Sequence, residues 1–250
     1  MDFIQAFTPL QFIAIGLIFI WTGFVRTGIG FGGAALGLPL LLLVDDKPLI
    51  FLPIIGFHLL FFSSLTLSTR IHNVNWSVIY KVLLIIIVPK VIGILGLFNF
   101  PNRWLVMAVF CITLIYGLMW LFNYVIKSQN KAVDFSLLVI GGYVSGTSLI
   151  GAPLMVAVIS RYVERSQLRE TLFVLWVILV SIKMSAFVVY EVDLQWQLAL
   201  LLLPLAGVGH YIGLRTHEYL LRSDTVTFHR VLGAALIVVS LAGLLKYLIL

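Results

Sequence analysis

Apolar residues fill this chain in blocks separated by short polar breaks, and the blocks come in two sizes. Long runs cover 49–69, 76–99 and 103–126 in the first half and 170–190, 194–214 and 229–249 in the second. Each exceeds the ~20 residues that a helix needs to cross a bilayer. The remaining runs, 10–25, 34–44, 135–146 and 152–160, are too short to span and flank two glycine-rich breaks. The pattern predicts an all-α polytopic membrane protein built from two repeats, 1–130 and 131–250. In each, a broken, re-entrant helix hairpin (10–44 or 135–160) is followed by three transmembrane helices.

The first break reads Gly23-Phe24-Val25-Arg26-Thr27-Gly28-Ile29-Gly30-Phe31-Gly32-Gly33-Ala34. Moving 119 residues along the chain finds a weaker copy, Gly142 to Pro153, in which Gly23, Val25 and Gly32 recur as Gly142, Val144 and Gly151. Irregular backbone cannot face lipid, because each unpaired N–H or C=O costs several kcal/mol there; it is tolerated only under a cover of protein or a watery cavity. Paired broken segments at matching places in two halves point to the binding site of a secondary transporter. Close helix packing is the other use of such glycines. It does not account for an arginine inside the run. A fainter echo, Pro89 with Gly93 and Gly96 against Pro204 with Gly207, Gly209 and Gly213, suits kinked or closely packed helices equally well.

Composition agrees with a membrane protein: 62% of residues are hydrophobic and 10% charged, more apolar surface than one soluble core could use. No basic residue precedes the first apolar run, so the first segment is expected to be retained rather than cleaved as a signal peptide. The single cysteine, Cys111, reads as a small buried hydrophobe. The net charge of +6 comes largely from loops between spans, so no nucleic-acid partner is expected; the partners are a small anion, a coupled proton or other ion, and the bilayer.

Those loop charges bear on topology. If each broken pair turns back, Arg70, Lys127, Lys131, Arg161, Arg165, Arg169, Arg215, Arg222 and Arg230 share one side and Lys47, Arg103 and Lys246 the other, nine against three. If each pair crosses once, the split falls to eight against four. The positive-inside rule therefore favours hairpins, which makes the second repeat inverted relative to the first and puts both termini outside.

All ten acidic residues fall at loops or span ends, whereas three basic residues do not: Arg26 at the first hairpin tip, Lys90 and Lys183. A charge in a bilayer costs at least ~2.5–3.5 kcal/mol on insertion scales, so a substrate anion is a natural counter-charge. Lys183 lies near enough to a span end to snorkel instead. A half-helix that begins at mid-membrane also turns free N–H groups and a positive dipole end towards a ligand. The candidate anion site therefore comprises Arg26, Thr27, Gly28, Gly30, Gly32, Gly33, Ser145, Thr147, Ser148, Gly151 and Lys90, with His58 and Lys183 as secondary candidates. No cofactor or metal is expected. The spans hold no nucleophile paired with a base and no Walker-type motif, so neither an enzyme nor a primary pump is indicated.

The paired motifs, the first continuing as Gly28-Ile29-Gly30-Phe31-Gly32-Gly33-Ala34-Ala35-Leu36-Gly37-Leu38-Pro39, resemble the sulfite exporter TauE/SafE family of membrane permeases. The resemblance extends over nearly the whole chain, including Arg70-Ile71-His72-Asn73-Val74-Asn75-Trp76. It implies movement of sulfite, thiosulfate, sulfonates or similar small sulfur anions across the bacterial inner membrane, without ATP hydrolysis. The second copy, Leu149-Ile150-Gly151-Ala152-Pro153, is poorer in glycine than the family pattern. The expected function is a secondary transporter binding its anion at mid-membrane between the two breaks; a passive anion or small-solute channel on the same paired half-helices is the alternative.

Overall fold

The computed structural model describes residues 7–29, 33–124, 130–222 and 225–249. They form ten α-helices: α1 (Pro9–Ile29), α2 (Gly33–Val44), α3 (Pro48–Leu67), α4 (Trp76–Asn99), α5 (Asn102–Leu121), α6 (Lys131–Ser148), α7 (Ala152–Tyr162), α8 (Arg165–Val189), α9 (Trp196–Arg222) and α10 (Thr225–Ile249). A 3-10 turn, Ile71–Asn73, precedes α4, and no strand occurs among the described residues. Seven helices, α1, α3, α4, α5, α8, α9 and α10, contain a stretch long and apolar enough to cross a membrane. Their outer faces carry residues such as Leu84 and Val238, 79% and 67% exposed, which water would not tolerate in such numbers and lipid would cover.

Local signals explain the helix limits. Asn75 caps α4, its side chain accepting from the Val78 N–H at 3.2 Å, and Pro101 follows the last turn. Asn130 caps α6 in the same way through Val133 N–H at 2.9 Å. The first hairpin departs from its expected limits. Arg26, Thr27 and Gly28 belong to the last turn of α1 rather than to the tip, and α1, at 21 residues or about 31 Å, is a full-length helix. A glycine in a helix costs only about 1 kcal/mol, which the packing of α1 on α9 offsets. Among the described residues the second arms, α2 and α7, are the shortest, with 12 and 11 residues.

The chain forms two units. One contains residues up to Ile54, Asn102–Tyr124 and the chain from Leu194 onward; the other contains Ile55–Pro101 and the chain from Val125 to Asp193. In the first unit α1 lies along α9 and α5 along α10. The α1–α9 seam is backbone against backbone: a β-carbon at Gly209 would strike the Ile20 carbonyl, and one at Gly23 the Ala206 carbonyl. Val25, Leu36, Leu232 and Leu236 close a small core beside Trp120. Asn102 Nδ2 donates to the Asp46 carbonyl at 2.6 Å and the Tyr247 hydroxyl to the Asp46 carboxylate at 2.8 Å, tying α5 and α10 to the end of α2.

In the second unit α4 lies along α6, again through glycine: β-carbons at Gly93 and Gly146 would strike the Tyr143 and Lys90 carbonyls. Ile79, Val82 and Ile86 of α4, Met155 and Val158 of α7, and Leu172, Leu175 and Leu179 of α8 share one core. Glu170, 3% exposed, is held by Arg169 at 3.2 Å and Arg70 at 3.6 Å. Each hairpin thus packs its first arm against the proline- and glycine-bearing helix of the other chain half, α1 on α9 and α6 on α4. Cys111 is exposed on α5 rather than buried, because its side of the helix faces outward where lipid substitutes for a core.

Candidate functional site

The second glycine break begins where α6 stops. Leu149 takes the left-handed conformation (φ 61°) and its N–H returns to the Ser145 carbonyl at 3.2 Å, ending the helix. Ile150 and Gly151 then turn the chain into α7, whose second residue is Pro153. Gly151 is required by space: a β-carbon there would run into the Gly141 carbonyl and come within 2.8 Å of the Ser145 nitrogen.

Two lysines from different helices converge on this turn. Lys90 of α4 donates from Nζ to the Ser145 carbonyl at 3.3 Å and to Ser145 Oγ at 3.1 Å. Lys183 of α8 donates to the Gly146 carbonyl at 2.7 Å and the Thr147 carbonyl at 3.1 Å. Their side chains are buried, with residue exposures of 0% and 1%. Lys183 therefore does not snorkel; inward carbonyls draw its ammonium more strongly than the distant surface. The acceptors are the last carbonyls of α6, the negative end of its dipole, which a cation stabilises. They carry only partial charge. No carboxylate lies among these acceptors.

The hydroxyls behave differently from one another. Thr147 Oγ1 and Ser148 Oγ donate to the Val144 carbonyl of their own helix, at 3.1 and 3.0 Å. Ser145 Oγ accepts from Lys90, which leaves its proton free for another acceptor.

The first unit holds the other predicted residues. Arg26 is 8% exposed on the last turn of α1, beside the start of α2, where a β-carbon at Gly33 would come 2.9 Å from its Cβ. Thr27, 1% exposed, shares a 2.7 Å hydrogen bond with His210 Nδ1 of α9. Gly28 faces Gly213 of α9 across the helix seam. Gly30 and Gly32 lie outside the described residues. His58, 2% exposed in the part of α3 that belongs to the second unit, is flanked by the Phe57 and Phe62 rings. His210 escaped the sequence reading, although a histidine six residues after Pro204 inside an apolar, glycine-bearing helix was the available signal.

The structure thus gathers the predicted residues into two groups. Lys90, Lys183, Ser145 and Gly151 meet at the α6–α7 turn, and Arg26, Thr27, Gly28 and Gly33 at the end of α1. Neither a curated protein nor a solved structure matches the chain. The family model for the sulfite exporter TauE/SafE matches residues 15–243. With seven helices able to cross a membrane and a match that runs nearly end to end, the chain belongs to the sulfite exporter TauE/SafE family of membrane permeases.

Proposed function

We propose that the protein is a secondary transporter of a small sulfur-containing anion such as sulfite, thiosulfate or a short organosulfonate, in the bacterial inner membrane. The observation that carries this reading is the convergence of Lys90 and Lys183, both buried, on one helix break with carbonyls and a hydroxyl as their acceptors. Two ammonium groups against one helix end leave positive charge uncompensated, and a bound oxyanion supplies what the carbonyls lack. The first turn of α7 begins at the same place and adds its own positive dipole end. In the other unit Arg26, with a guanidinium fork suited to two oxygens of a sulfur oxyanion, plays the corresponding part.

We read the two chain halves as inverted repeats with both termini outside. The exchanged packing of α1 on α9 and α6 on α4, each through glycine, supports a repeated plan.

The test is uptake into proteoliposomes of labelled sulfite, thiosulfate and a short sulfonate, with and without a pH gradient. A saturable flux of at least one of these, reduced in Lys90→Met and Lys183→Met, is expected. A flux that never saturates and ignores both pH and membrane potential would make the protein a channel.

A further inference from the structure

The second unit carries a groove of about 670 Å³ at the end of α4, α6 and α7 remote from the α6–α7 turn. Its two ends differ in chemistry. Val78, Val82 and Ile85, spaced four and three residues apart on one face of α4, form a wall with Phe135 and Leu138 of α6 and Val158 of α7. Nearer the helix ends the lining becomes Asn75 and Ser77, with Lys131, Asp134 and Tyr162, and Lys81 stands between Val78 and Val82 on α4. Lys81 and Lys131 are exposed. Asp134 is already engaged, by Arg161 at 3.3 Å and by the Tyr162 hydroxyl, so its charge is matched inside the protein. With Asp134 matched by Arg161, the ammonium groups of Lys81 and Lys131 make the mouth positive.

From Lys131 to Leu138 is seven residues of α6, about 10 Å of depth. A small inorganic anion gains nothing from the apolar wall beyond the lysines, and a purely apolar molecule gains nothing from the mouth. The charge distribution of the loops puts this end of the unit in the cytoplasmic leaflet, where anionic lipids and basic pockets between helices meet. We infer that the groove is a binding site for an anionic phospholipid, with its phosphate between the ammonium groups of Lys81 and Lys131 and an acyl chain along Val82, Ile85 and Leu138.

Native mass spectrometry of the intact protein in detergent, titrated with phosphatidylglycerol or with phosphatidylcholine of identical chains, tests the assignment. Phosphatidylglycerol is expected to bind more tightly, by about fivefold for each lysine. The Lys81→Gln/Lys131→Gln variant, altered only at exposed positions, should bind the two lipids alike. Val78→Phe should weaken both lipids by filling the groove. Glycerol 3-phosphate, the headgroup chemistry without chains, should not displace the lipid. Equal binding of the two lipids by the unaltered protein, a preference that survives in the double variant, or full displacement by glycerol 3-phosphate would each overturn the assignment.

Discussion

Lys183 Nζ donates to the Gly146 carbonyl oxygen at 2.7 Å, reaching from α8 to the last turn of α6. That contact, with its companion to Thr147, makes the lysine a cap for a helix that ends inside the protein. Lys183→Met leaves two carbonyls without this donor and should cost about 1–3 kcal/mol. For a chain of this size each kcal/mol lowers the melting temperature by about 2–4 °C. Thermal unfolding of the detergent-solubilised variant measures it, and an unchanged melting temperature would show that the α6 end does not depend on Lys183.

Lys90 differs in sharing a hydroxyl as well as a carbonyl. Ser145→Ala removes one of its two bonds, and with it the hydroxyl proton left for an anion, and should cost about 0.5–1.5 kcal/mol of stability while raising the KM for the transported anion. Lys90→Met should lower stability and also raise the KM for the transported anion. A Lys90→Met protein that loses stability but keeps its KM would assign the residue to structure alone.

Arg26→Gln should weaken anion affinity by about 1.5–3 kcal/mol, roughly ten- to a hundredfold, the scale of a hydrogen bond to a charged group. Arg26→Lys should recover part of this, because charge returns without the planar fork. The readout is the concentration dependence of uptake, and an unaltered half-saturation in Arg26→Gln removes Arg26 from the site.

Two glycine substitutions of equal chemistry should differ in outcome. At Gly146 a β-carbon meets the Lys90 carbonyl and lies 2.9 Å from the Gly93 Cα, so α4 and α6 must separate and at least about 1–3 kcal/mol is lost. At Gly16 the neighbour is the Leu205 Cδ1 methyl at 3.0 Å, which can swing aside. Gly146→Ala should therefore express poorly or melt early while Gly16→Ala remains near the parent; similar melting temperatures would contradict the backbone seam.

The topology is open to labelling. In a Cys111→Ala background, a cysteine replacing Asp193 should react with an impermeant maleimide in intact cells, and one replacing Ser166 only after permeabilisation. The opposite pattern reverses the orientation drawn from the loop charges.

The sequence announced α4 to the residue because both of its ends are local: an asparagine cap at Asn75 and a proline at 101. The end of α1 is different in kind. Its glycines look like a break until α9 supplies Ala206 and Gly213, against which Gly23 and Gly28 pack, and nothing near residue 28 records that partner. The same distance hid the role of Lys183, whose acceptors precede it by 36 and 37 residues. Depth and charge were legible from composition; the direction in which a lysine points was not. Thr147 and Ser148 were selected as ligands by residue type, but a hydroxyl near a helix end has its own backbone within reach.

The exchanged helix pairs also set a timetable for synthesis. From the end of α4 at Asn99 to the start of α6 at Lys131 is 32 residues, roughly 2–6 s at ~5–20 residues per second. From the end of α1 at Ile29 to the start of α9 at Trp196 is 167 residues, roughly 8–33 s at the same pace. The second unit, drawn from one continuous half of the nascent chain apart from α5, has most of its partners at hand while the ribosome is still working. Helix α1 must wait, its notched glycine face without its mate, until α9 has been made.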